Sequence, residues 1–281
     1  MKIKSQTKNL FAFTLIPTLL ITTNQFASAA AHNKGKFSTK QSALLSQSSS
    51  LSKQSETFRH SPPALPAPHP FKLMDITSYT LPNGLSVQLL PDHRVPLVTV
   101  QLGVNAGASL EPKTLLGLAG ITADMITEGT SSRTSKEIAN EIDFIGGALG
   151  ATANHDSVIV GSSALSKYTP RLLNIFADVV LQPNFPEDEL KLQKTNLIQE
   201  LSIKRSEPDF LVDERFSKST FGDHPYAVIA PTEKTVQAIT KEDLQKFHNE
   251  HYLPNESYLV VVGDFDLEKI KALIDEKFGQ A

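Results

Sequence analysis

Between Val95 and Glu128 the hydrophobic period of the chain changes from two to about 3.6. Val98, Val100, Leu102 and Val104 alternate with Thr99, Gln101 and Gly103, and Val95–Val104 reads as a strand. Leu115, Leu118, Ala119, Thr122, Met125 and Ile126 then fall on one side of a helix over Thr114–Glu128, which Gly129 stops. A strand that feeds a helix of this kind needs a sheet on which to lay the helix. Ile76–Leu81 and Leu85–Leu90 flank Pro82-Asn83-Gly84 and read as a β-hairpin, since Asn-Gly favours the positive φ angles of a tight turn. Leu149–Ala153 and Ser157–Ala164 read as a second strand pair, and Ser257–Val262 as a buried strand. Helices are expected over Ser135–Ile145, Pro170–Leu181, Pro186–Lys204, Pro208–Phe221, Lys241–Tyr252 and Leu267–Phe278. A cap at Thr134 or Ser135 opens the first, and prolines sit at the first turns of the next three. Hairpins and long helical excursions predict α+β, a mainly antiparallel sheet with helices packed on one face.

The first seventy residues cannot join that fold. Lys2, Lys4 and Lys8 precede an apolar run from Leu10 to Ile21, and Ala27-Ser28-Ala29 supplies small residues for a cleavage site. Residues 1–29 therefore read as a secretory signal peptide, the run being too short to span a bilayer as an uncleaved anchor. Residues 30–70, rich in Ser and Gln and then in Pro, read as a disordered spacer. A proline-recognition ligand is the less favoured reading. The expected location is outside the cytoplasm, periplasmic or secreted, with no stable membrane anchor.

Charge and cysteine remove several functions. The first seventy residues carry +7 of a chain total of −3, so the part from Phe71 onward carries −10. That balance excludes nucleic acid as a partner, because phosphate binding rests on clustered Lys and Arg. With no cysteine there is no disulfide frame, thiolate zinc site or cysteine nucleophile. Gly161-Ser162-Ser163 lacks the closing glycine of a nucleophile elbow, and no phosphate-loop or dinucleotide fingerprint occurs. His248 and His251, three apart near a helix end, read as surface residues interacting with the helix dipole. His155-Asp156 reads as a solvated turn.

One set of motifs resembles a known family. Gly117-Leu118-Ala119 and Met125 to Gly129-Thr130 frame a helix that follows Ala106-Gly107-Ala108-Ser109-Leu110-Glu111-Pro112. Pro82-Asn83-Gly84, Asp143 with Gly146-Gly147, Ile198-Gln199-Glu200, His224-Pro225-Tyr226, Tyr252-Leu253-Pro254-Asn255 and Val260 to Asp264 follow in order. From about Ser78 to Gly279 the chain resembles the first domain of the pitrilysin/insulinase peptidases, which include the mitochondrial processing peptidases. The resemblance implies the LuxS/MPP-like metalloprotease fold over 71–281. It also implies a zinc site built on H-x-x-E-H in the framed helix, completed by a downstream Glu. Here the first ligand position is Gly120, the general-base position Ala123 and the second ligand position Asp124; only Glu200 is retained. A catalytic zinc needs about three protein ligands and a water. No catalytic residue, no metal ligand set and no cofactor are therefore expected, although active relatives carry zinc.

What the resemblance leaves is a surface for binding. Leu149-Gly150-Ala151-Thr152-Ala153 matches the edge strand that pairs with extended substrate in active relatives, and an ordinary edge covered by a partner is an equal alternative. The family's working unit is two such domains, so the chain is either short of its second half or a fragment. The expected partner is an active pitrilysin-like homologue or a second peptidase-like domain, together with extended peptides. A stand-alone peptide-binding module is the second reading. A hydrolase with relocated ligands, for which only His248, His251 and Glu200 offer material, is the third.

Overall fold

The computed structural model describes residues 75–279, and the segments read as signal peptide and spacer lie outside the described residues. Six strands form one sheet in the order β1-β2-β6-β3-β5-β4. They are β1 (Thr77–Thr80), β2 (Ser86–Pro91), β3 (Leu97–Val104), β4 (Ala148–Ala153), β5 (Val158–Leu165) and β6 (Ser257–Gly263). Every neighbouring pair is antiparallel except β2 with β6, which run parallel. The sheet is thus mainly antiparallel, as the hairpin spacing requires.

Eight α-helices lie among the described residues: α1 (Leu118–Met125), α2 (Ser135–Phe144), α3 (Thr169–Leu181), α4 (Glu187–Lys204), α5 (Pro208–Phe221), α6 (Glu233–Ala238), α7 (Lys241–His251) and α8 (Leu267–Phe278). Strand alternation assigns the two faces of the sheet. Val98, Val100 and Leu102 of β3, with Val87 and Leu89 of β2 and Leu259 and Val261 of β6, are buried on the helix side. Thr99, Gln101 and Gln88 are exposed on the other. Phe176 of α3 meets Phe278 of α8 at a ring separation of 6.4 Å in the same core. Each such fully buried ring is worth about 1.5–3 kcal/mol over an exposed one.

The boundaries depart from the sequence expectation in two instructive places. β3 begins at Leu97 because Pro96 lacks the amide that a strand pair needs. The helix expected over Thr114–Glu128 is shorter, running only Leu118–Met125. Gly117 precedes it with φ +98°, a left-handed conformation that ends the preceding turn and that a side chain would strain. The short helix α6 was not expected; Thr232 caps it, its side chain accepting the Thr235 amide. At the far end of the sheet, Asn83 of the Pro-Asn-Gly turn donates to the Phe278 carbonyl at 2.6 Å and so ties the β1–β2 hairpin to the end of α8.

Candidate functional site

Helix α1 carries Gly120, Ala123 and Asp124, the positions that the resemblance sets against the family's zinc motif, and packs against β4, α4 and α7. Its start has no side-chain cap of its own, because the residue there is Gly117. Glu111 does this work from six residues upstream. Its two carboxylate oxygens accept the amides of Gly117 at 2.8 Å and Ala119 at 2.7 Å. Burial raises the Glu111 carboxyl above the ordinary range, and the two amides offset part of that rise. The sequence signal for this role, an acid shortly before a helix start, was within the quoted motif but has no fixed spacing.

The turn between α1 and α2 is held by a polar network. Asp178 of α3 accepts from Thr130 Oγ1 at 2.7 Å, Ser132 Oγ at 2.7 Å and Arg133 Nη1 at 2.5 Å. Arg133 Nε donates to Glu141 Oε1 at 3.0 Å, and Arg171 Nε donates to the other oxygen of that carboxylate at 3.2 Å. Burial works against the Asp178 charge, but the three donors outweigh it and hold the carboxyl below its usual value. The start of α1 and the turn after it are therefore held by protein side chains.

Along the helix, the altered positions differ in surroundings. A side-chain carbon built on Gly120 would meet nothing within 4 Å. Ala123 is wholly buried among core side chains. Asp124 lies on the exposed side, where its Oδ2 accepts from Gln193 Nε2 of α4 at 2.6 Å. Desolvation by the surrounding protein raises its carboxyl, the Gln193 bond opposes this, and the charges of Glu200 and Glu128 add to the rise. Glu200 faces the same region but pairs with Lys204, one turn on, at 2.6 Å. The donor chemistry does not fit a catalytic zinc. Gly120 offers no donor, Ala123 presents a buried methyl, and the two carboxylates bind Gln193 and Lys204. Among the described residues no group of three or more His, Asp or Glu side chains stands close enough to hold a metal ion.

Among the described residues, His155, His248 and His251 are engaged elsewhere. His248 was expected at the surface. It is buried, its ring pointing inward from α7 so that Nε2 meets the Val180 carbonyl at 2.9 Å, and burial lowers its pKa. His251 packs its ring at a tilt against Phe247, with the ring centres 4.7 Å apart. His155, expected in a solvated turn, is half-buried at the tip of the β4–β5 hairpin, with Nε2 3.2 Å from the Val228 carbonyl and its ring against Tyr226. Ser162 lies within β5 and donates to the Ala148 carbonyl at 2.8 Å.

Strand β4, which holds Leu149, Gly150, Ala151, Thr152 and Ala153, is the last strand of the sheet. Its register on β5 runs from Ala148 opposite Ser163 to Ala153 opposite Val158. Leu149, Ala151 and Ala153 rest on the core. Ala148, Gly150 and Thr152 are exposed, and nothing lies within 4 Å of a carbon built on Gly150. The helix with the altered positions thus packs beside an edge strand whose outward residues are small.

The model of the insulinase family (peptidase family M16) matches residues 87–232, and that of the peptidase M16 inactive domain matches residues 238–281. A protein of Rickettsia felis described as an uncharacterized zinc protease is 32% identical over 199 residues, covering 70% of this chain and 48% of the relative. The solved peptidase M16 inactive domain from Pseudomonas fluorescens superposes with a TM-score of 0.69 at 25% identity, over 72% of this chain and 50% of that one. The periplasmic protease PqqL of Escherichia coli shares the fold, with a TM-score of 0.67 at 19% identity over 74% of this chain and 24% of that one. The chain spans about half the length of the curated relatives it matches.

Proposed function

The chain belongs to the insulinase family of peptidases, family M16, and from that premise we propose that it is an exported, non-hydrolytic member that holds extended peptide for an active, zinc-bearing homologue. The observation that carries the reading is the contrast along one helix. The start of α1 and the turn that leads from it to α2 are held by part-buried polar contacts, while the three positions that would hold zinc and activate water are Gly120, Ala123 and Asp124. A scaffold kept rigid around a donor-poor site can bind but has no means to deprotonate water.

Two further features support a holding role. The outer side of β4 presents main-chain groups beside small residues, the requirement for adding a peptide strand. Helix α5 has no buried residue, although it carries Leu211, Val212 and Phe216, the last 67% exposed. Apolar side chains left uncovered on one helix suit a chain that works against a second protein surface. Among the described residues no helix is long and apolar enough to cross a membrane, and the basic, apolar start of the sequence supports export.

The test is purification of the chain alone and together with an H-x-x-E-H-bearing homologue from the same cell. The proposal expects no peptide cleavage by the chain alone and a stable complex with the homologue. Chelator-sensitive cleavage by the chain alone refutes it. A monomer that binds peptide yet ignores the homologue favours the stand-alone module instead.

A further inference from the structure

A cavity of about 330 Å³ lies between the 3-10 turn Ala108–Leu110 and the link from α5 to α6. Gly120, Asp124 and Glu200 take no part in its lining. Ala108, Leu116 and Val228 give it apolar walls, while Lys113, Lys218 and His224 stand around it. Its size is at the small end for a ligand site and suits a single short aliphatic group.

The polar groups are sorted by what already engages them. The half-buried carboxylate at the cavity, Glu111, gives both oxygens to backbone amides at the start of α1. Lys218 donates to the Gly222 carbonyl at 2.7 Å, and its remaining donors lie near only the fully exposed Asp223 at 3.5 Å. Lys113 has no ion-pair partner among the described residues. His224 Nδ1 accepts the Tyr226 amide at 3.2 Å, which assigns the ring proton to Nε2 and makes that atom a donor. Its ring is held edge-on to Tyr226 at 4.7 Å. Apart from Asp223, which also lines the cavity and points to solvent, the groups left over are donors and cations, and the walls are apolar.

The cavity is also preformed. Ala108 and Ser109 donate to the Asn154 and His155 carbonyls at 3.0 and 2.7 Å, clamping one wall to the β4–β5 hairpin tip. A side-chain carbon on Gly107 would come within 2.4 Å of the His155 carbonyl oxygen, so the clamp demands glycine there. On the other wall, Tyr226 donates to Asp156 and His155 meets the Val228 carbonyl.

We infer that this cavity is a binding site for a short apolar group ending in a carboxylate, its alkyl part against Leu116 and Val228 and its carboxylate toward Lys113 and His224. A free short-chain fatty acid and the aliphatic C-terminal residue of a peptide share that chemistry. The site stands independently of the peptidase-partner reading.

The full chain is titrated with hexanoate, hexanamide, an acetylated tripeptide acid ending in valine, and its C-terminal amide, with binding followed by saturation-transfer NMR and calorimetry. The expected result is binding of one or both acids at least tenfold tighter than the matching amide. Hexanoate alone identifies a free acid, and the tripeptide acid alone identifies a peptide end. Lys113→Glu, at an exposed position, weakens acid binding at least tenfold, and Val228→Trp, which fills the cavity, removes it. Amides that bind as well as acids, or acid binding unchanged in both variants, overturn the inference, as does no binding of any probe at 10-millimolar-scale concentrations, on the order expected for weak fragments.

Discussion

Replacing Glu111 with alanine tests whether a distant carboxylate, rather than a metal, holds the start of α1. The substitution removes two hydrogen bonds, at 2.8 and 2.7 Å, and leaves the Gly117 and Ala119 amides without their acceptor. Hydrogen bonds to a charged group contribute about 1.5–3 kcal/mol each, and the burial that raises the Glu111 carboxyl subtracts from the pair. The expected net loss for Glu111→Ala is about 2–4 kcal/mol. In a domain of roughly 150–250 residues that is a Tm drop of about 4–16 °C. Glu111→Gln keeps one acceptor without the buried charge and is expected to lose about 1 kcal/mol. Urea unfolding followed by circular dichroism, with an unchanged m-value, reads the difference. The pH dependence gives a second handle. Because the folded-state carboxyl is raised, its proton-linked contribution is fully present below the unfolded value of about 4.3 and is lost as pH rises through the folded value. The gap between wild type and Glu111→Gln therefore changes across that window. A Glu111→Ala protein within about 0.5 kcal/mol of wild type refutes the assignment, since surface substitutions fall in that range.

Acid stability is expected to fall in two stages. His248 is held neutral by burial, so its contribution is present above about pH 6.5 and is lost as pH falls toward its lowered folded value; His248→Gln flattens this first stage in a Tm-against-pH series. Asp178, held below the usual range, contributes above about pH 3.9 and loses that contribution as pH falls further, a stage that Asp178→Asn removes. The paired change Gly120→His with Asp124→His places two imidazoles one turn apart, with Glu200 as a third donor and open space at position 120. Zinc at about 100 times its Kd then adds about 2.7 kcal/mol to stability, read as a zinc-dependent rise in Tm, whereas wild type shows none. A double variant indifferent to zinc shows that the helix has moved out of ligand register with α4.

Local chemistry was legible wherever it stayed local. The Pro-Asn-Gly hairpin, the proline-led helices and the Thr134 cap are decided by neighbours within one turn, and each appears where the pattern puts it. So does the order of motifs from which the fold and family followed. The full length of α1 was not legible, because a left-handed Gly117 and a cap supplied by Glu111 override a helical period that continues back to Leu115. Nor was the inward turn of His248, since a polar residue near a helix end looks solvent-facing until the Val180 carbonyl arrives from α3. The Asp178 network joins residues more than forty positions apart, and no spacing rule announces it. At the candidate site the missing donors could be read from the letters, whereas the open space at Gly120 and the Asp124–Gln193 bond needed the fold.

The most direct test of the central claim is metal content and hydrolysis measured on one preparation of the wild-type chain, purified with zinc in every buffer. The account predicts a zinc-to-protein ratio near zero after gel filtration and no cleavage of an unstructured peptide library. Zinc retained near one ion per chain, together with cleavage that a chelator stops, would contradict it.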